Sequence, residues 1–156
     1  MNNQDKSEAL FGNHEDLLLD YYDKTNKYGP GIWQFNGGSE TIKSFGGLVP
    51  KNVINWIRTL KTSVTLLNDN KNYFISHTFK TIFDKNDILT SLWNRRQPEM
   101  FVEYDIQIAG HNSQFGLRYW NFPNNKQAIC IDTSAKRILT GIHIPSMNIY
   151  QQKFID

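Results

Sequence analysis

The chain has 156 residues, enough for one hydrophobic core but short for two unrelated full-sized domains, so it reads as a single domain over 1–156. Lys and Arg number 17 against 15 Asp and Glu, for a formal charge of +2; this lacks the basic excess that binding a phosphate backbone requires and argues against a nucleic-acid partner. Aromatic residues make up 13%, which supplies the large apolar surface of a folded domain and argues against disorder.

Leu17 to Leu19 is the longest aliphatic run, far short of the roughly 20 residues of a membrane span. The polar start Met1-Asn2-Asn3-Gln4-Asp5 is unlike a signal peptide. A cytoplasmic protein with no membrane partner is expected.

In chain order, the pattern Leu17, Leu18, Leu19, Tyr21, Tyr22 predicts a helix from Glu15, with Glu15 and Asp16 at the dipole-favoured amino end, stopping before Gly29-Pro30-Gly31. Ser39 is placed to cap a brief helix through Phe45, which Gly46-Gly47 ends. Pro50 suits the first turn of the next helix, in which Val53, Ile54, Ile57 and Leu60, extending to Val64, recur at helical spacing. After the polar loop Asn68 to Asn72, Tyr73-Phe74-Ile75 predicts a buried strand that delivers Ser76-His77 at its carboxyl end.

A helix over Asp84 to Trp93 follows, and beyond Pro98 the chain turns β-rich, with strands expected at Val102 to Ala109, Phe115 to Trp120, Ala128 to Asp132 and Ile138 to Ile144. The fold class is α/β. Cys130, the only cysteine, lies between aliphatic residues and reads as a core thiol. His143 alternates with Ile142 and Ile144 and reads as the solvated face of a strand. The other three histidines stand beside small or polar residues at turns or strand ends, where imidazoles distant in sequence can converge on one ligand or metal.

Six elements occur in order: Gly12-Asn13-His14-Glu15; Trp33 to Ser44 with Asn36-Gly37-Gly38 and Thr41; Tyr73 to His77; Leu92-Trp93-Asn94-Arg95; Gly110-His111; and Ile131-Asp132-Thr133 with Leu139-Thr140. Together they resemble the metallophosphoesterases (calcineurin-like superfamily), specifically the bacteriophage-type serine/threonine phosphoprotein phosphatases, over about residues 10–144. The resemblance implies that Asn13, His77 and His111 ligate one of two divalent metals, most often Mn²⁺, that His14 is the general acid, and that Arg95 holds the substrate phosphate. Amide oxygen, imidazole and guanidinium suit those roles. Glu15 reads as an acidic first-turn residue, and Arg96 as a weaker substitute for Arg95, because the family spacing of Trp, one residue, then Arg selects Arg95.

The chain departs from the family where it matters for chemistry. The motifs GDxHG and GDxxDRG, which supply the second metal's ligands and the bridging aspartate, are absent, and only twelve residues precede Asn13. The resemblance therefore implies an incomplete mixed β-sandwich with flanking helices, at most one metal, and a metal-dependent phosphoesterase inactive or weak alone. The partners expected are a phosphorylated protein or small phosphoester, and a second chain bringing the missing motifs. The Tyr73 to His77 strand is expected to leave an unpaired edge through which copies self-associate. The alternatives are a non-catalytic phosphatase-like remnant or binding module, and a dinucleoside polyphosphate hydrolase.

Overall fold

The computed structural model describes residues 7–81 and 91–154, and the chain divides into two compact units, Met1–Thr62 and Ser63–Asp156. The helix expected over Asp84 to Trp93 falls mostly on residues 82–90, outside the described residues. Among the described residues no helix is long and apolar enough to cross a membrane.

In the first unit, α1 (Asn13–Asp23) buries Leu17 and Leu18 and ends at Lys24, which takes a left-handed conformation. The Glu15 carboxylate accepts the Gly12 N–H at 2.9 Å, so this acid closes the helix's own first turn. The segment after α1 folds back onto it. Asp20 accepts the Thr25 hydroxyl and the Lys27 and Tyr28 N–H groups, while Asp16 accepts the Tyr28 hydroxyl and the Lys27 ammonium.

The Asn36-Gly37-Gly38 stretch is a kink rather than a loop: Gly37 sits at φ +91°, a backbone region open to glycine and costly for other residues. Thr41 Oγ1 donates to the Gly37 carbonyl at 2.9 Å and Asn36 Nδ2 to the Ile32 carbonyl at 2.7 Å. Gly38 lies so close to buried Trp33 that a Cβ there would stand 2.5 Å from the indole and 2.7 Å from its carbonyl oxygen. The next helix, α2 (Ser39–Ser44), makes no side-chain cap at its start. Ser39 was expected as that cap; Gly38 already has helical angles, which puts Ser39 inside the helical turn.

Helix α3 (Lys51–Ile57) begins after Pro50, which is extended and holds the flanking position. It ends two turns short of the expected Val64. The apolar spacing runs on past the helix by coincidence, while Val64 pairs with Ile75 in a β-ladder, where a β-branched side chain fits well.

The second unit contains a five-stranded sheet in the order β1-β2-β3-β5-β4 and a two-stranded sheet, β6-β7. The strands are β1 (Ser63–Asn68), β2 (Lys71–Ser76), β3 (Ile106–Ala109), β4 (Arg118–Phe122), β5 (Lys126–Cys130), β6 (Ile138–His143) and β7 (Asn148–Lys153). Asp69 and Asn70, both at positive φ, join β1 to β2 as a two-residue hairpin turn, a conformation that Asn and Asp tolerate.

Strand β2 is interior, with antiparallel β1 on one side and parallel β3 on the other. The unpaired edge expected there is therefore filled, because residues read as helix and loop supply the missing strand. On one sheet face Tyr73, Ile106, Ile108 and Ile129 form a core packed by Ile142, Ile144 and Met147 from the β6-β7 region. His143, between those isoleucines, is exposed as the alternation predicts. On the other face Ala109, Ala128 and Cys130 pack with Phe79, Trp120 and Phe122. The chain is thus mixed α/β with a β-rich carboxyl-terminal part.

Candidate functional site

Strands β2, β3 and β5 run parallel, with Ser76, Ala109 and Cys130 in register at their carboxyl ends. The residues that follow each strand, His77, Gly110-His111 and Ile131-Asp132, therefore emerge along one edge of the sheet. In open parallel sheets this edge is where ligands bind, since loops diverge there and leave a crevice.

Two imidazoles meet at this edge. His77 Nε2 and His111 Nδ1 are 2.9 Å apart, with ring centroids at 4.8 Å. The Gly110 N–H donates to the His77 carbonyl at 3.0 Å, and the Asn112 N–H to the Gly110 carbonyl at 2.7 Å. That second bond closes a three-residue turn around His111, which sits at φ +62°. A non-glycine residue held there costs free energy, and such positions concentrate at functional sites. Trp93 stands edge-on to His111 at 6.3 Å.

Beneath the turn, Cys130 is fully buried, and its thiol lies 3.4 Å from the Asn112 carbonyl. Burial pushes the Cys130 thiol above its ordinary value, so it packs as a neutral group.

A cleft of about 300 Å³ opens beside the pair, lined by His111, Asn112, Ser113, Gln114, Arg95, Arg96, Gln97, Arg118 and Trp120. Among the described residues the lining has three arginines and no carboxylate. Arg118 opens β4 and pairs with Cys130 across the ladder, which brings it level with the strand ends that carry the histidines. Its guanidinium lies 4.9 Å from the Trp120 ring, and the Trp120 indole N–H donates to Gln97 Oε1 at 2.5 Å.

The residues singled out from sequence divide between the two units. Asn13, buried, and His14, exposed, are the first two residues of α1 in the first unit; His77, His111 and Arg95 belong to the second. The structure joins His77 to His111 and puts both Arg95 and its neighbour Arg96 on the cleft with His111. Arg118 belongs to none of the sequence motifs. The available signal was the alternation Arg118-Tyr119-Trp120, which sets cation and indole on the same face of a strand.

Asp132, Thr133 and Thr140 serve local structure. Thr133 Oγ1 donates to the Ile138 carbonyl at 2.7 Å and lies 2.6 Å from Thr140 Oγ1. Asp132 Oδ1 accepts the Ser134 N–H and hydroxyl.

At 2.9 Å the His77 Nε2–His111 Nδ1 contact is a hydrogen bond between the two rings, and ligating one ion through both nitrogens requires that bond to open. Among the described residues no group of three or more His, Cys, Asp or Glu is placed to hold a metal. Two imidazoles at this edge do not by themselves make a metal centre.

No protein-family model matches the chain, and no curated protein matches it. Among solved structures it is similar to one described as "Structural and Functional Characterization of a Novel Archaeal Phosphodiesterase", with a TM-score of 0.35 and 13% identity, over 89% of this chain and 90% of that one. At that level of similarity neither fold nor activity carries over, and the side chains themselves must decide.

Proposed function

We propose that the chain binds phosphoesters as part of a metal-dependent phosphoesterase, most like a serine/threonine protein phosphatase, and is weak or inactive by itself. One observation carries this reading: the His77–His111 pair stands at the ends of adjacent parallel strands, and His111 lines a cleft with Arg95 and, among the described residues, no carboxylate. Guanidinium forks match phosphate oxygens in geometry and charge.

His77 and His111 are the residues proposed to hold a divalent ion, Mn²⁺ by preference; Asn13 as a further ligand and His14 as the acid are proposed from the sequence resemblance alone. The ion, when bound, would act as a Lewis acid on the phosphoryl oxygen and make a coordinated water more acidic. Weakness alone follows from the ligand set, because neutral donors hold a hard cation less well than carboxylates do. A phosphorylated protein or small phosphoester is the proposed substrate, and a second chain carrying the missing aspartate motifs the proposed partner.

Calorimetric titration with Mn²⁺ tests the ligands: weak binding of one ion, lost in both His77→Ala and His111→Ala, is expected, and unchanged affinity in both variants refutes the assignment. Adding a fragment with both missing motifs should restore hydrolysis of an aryl phosphate. His14→Asn should then slow turnover about 10²- to 10⁴-fold with metal binding intact. The specific observation favouring a non-catalytic binding module is the two-imidazole donor set, and phosphopeptide binding without hydrolysis after complementation would select it.

A further inference from the structure

The arginines of the cleft are arranged for more than a single phosphate. Arg95 comes from the segment after Trp93-Asn94, whereas Arg118 comes from β4, at the position paired with Cys130. Both line the same cleft, so it receives guanidinium groups from two separate elements. Among the described residues neither Arg95 nor Arg118 forms an ion pair with a carboxylate. Like charges in a confined space repel one another, and a multiply charged anion between them turns that repulsion into attraction.

Arg118 is also held in place. Its guanidinium lies over the Trp120 ring, the Trp120 indole N–H is fixed by Gln97, and Phe79 meets the same indole edge-on at 5.3 Å. A stacked guanidinium loses little further freedom when it binds an oxyanion, which is the advantage of preorganisation. The stacking occupies one face of the indole and Phe79 packs against the same residue, so Trp120 is already engaged on two sides. The cleft, at about 300 Å³, is at the small end of ligand pockets. It suits a compact ligand better than one carrying a nucleobase.

The geometry points to a two-point anion site in which Arg95 and Arg118 each take one phosphoryl group of a small diphosphate-class ligand, inorganic pyrophosphate being its simplest member. This deepens the proposal above for the same cleft, since Arg95 takes part in both. It needs no metal, which allows the two to fail separately. Arg118 is a specificity residue here: it distinguishes two linked phosphoryl groups from one.

The test is calorimetry on the full chain with metal chelated, using inorganic pyrophosphate, inorganic phosphate and ADP as probes. Pyrophosphate should bind at least about tenfold more tightly than phosphate, because a second charge-assisted contact adds on the order of one decade. Arg118→Gln should remove most of that margin and change phosphate affinity less than about twofold, whereas Arg95→Gln should weaken both probes by similar factors. Arg118→Lys, which keeps the charge and loses the fork, should fall between. Lys153→Gln on β7 controls for net charge and should change nothing.

Equal affinity for phosphate and pyrophosphate overturns the inference. So does an Arg118→Gln effect no larger than that of Lys153→Gln, and so does tighter binding of ADP than of pyrophosphate. Circular dichroism on each variant confirms that the sheet is retained. If complementation gives no hydrolysis while metal-free pyrophosphate binding shows this pattern, the phosphoesterase reading fails and the diphosphate site stands.

Discussion

Replacing His111 by alanine and, separately, by glycine separates what its imidazole does from what its backbone costs. Both variants lose the 2.9 Å contact with His77; only glycine accepts φ +62° without a Cβ penalty. That penalty is about 1–2 kcal/mol for an L-residue in the left-handed region. Against it, glycine's extra unfolded-state freedom costs roughly 0.5–1 kcal/mol. The midpoints of the two ranges leave His111→Gly more stable than His111→Ala by about 0.75 kcal/mol, the reverse of the usual order.

With a urea slope of about 2 kcal/mol per molar, the midpoints should differ by roughly 0.4 M. Urea denaturation followed by circular dichroism reads this directly. Tyr119, exposed in the extended strand β4, supplies the control, where the glycine variant should be the less stable of the two. If the His111 pair follows the same order as the Tyr119 pair, the strained turn at the end of β3 is not there, and a functional reading of that strain goes with it.

Three further outcomes follow from particular contacts. Gly38→Ala should destabilise the first unit by about 1–3 kcal/mol, an overpacking cost, because the new Cβ meets the Trp33 ring and carbonyl; faster amide exchange in α1 would report it, and unchanged exchange would refute it. Cys130, buried beneath the His111 turn, should react with a thiol reagent only after unfolding, so rapid modification of the native chain would contradict its packing. At Asp20, burial pushes the carboxyl up, but the bonds from Thr25, Lys27 and Tyr28 outweigh it and the pKa is lowered overall. A lowered folded-state value contributes stability above the ordinary carboxylate pKa and loses it as pH falls through the folded value. Asp20→Asn should therefore be less stable than the parent at neutral pH, with the gap closing in acid; a gap that is constant with pH would show that the carboxylate charge is irrelevant.

What could be read from sequence was what acts within a few residues. α1 was legible because its apolar spacing and first-turn acids are neighbours in the chain, and Glu15 closes on Gly12 only three residues away. The strands around Ile108, Ile129 and Ile142 were legible as apolar or alternating runs, though their ends shifted by up to four residues. Cys130 and His143 were placed correctly from their immediate neighbours. The Trp33 to Thr41 motif announced a turn, since Gly37 and Thr41 satisfy it locally.

The rest depended on pairing across the chain. Val64 continued a helical spacing and became a strand because Ile75 pairs with it; the alternative partner is invisible when the window is short. β7 was missed because Tyr150-Gln151-Gln152 is mostly polar, and only its ladder with β6 makes it a strand. The histidines were named from sequence, but their contact comes from His77 and His111, 34 positions apart, following neighbouring parallel strands. Arg118 entered the cleft through its register with Cys130. Turn chemistry and helix caps are decided by bonds between near neighbours, whereas the make-up of a cleft is decided by strand order and register, which exist only once distant segments have paired.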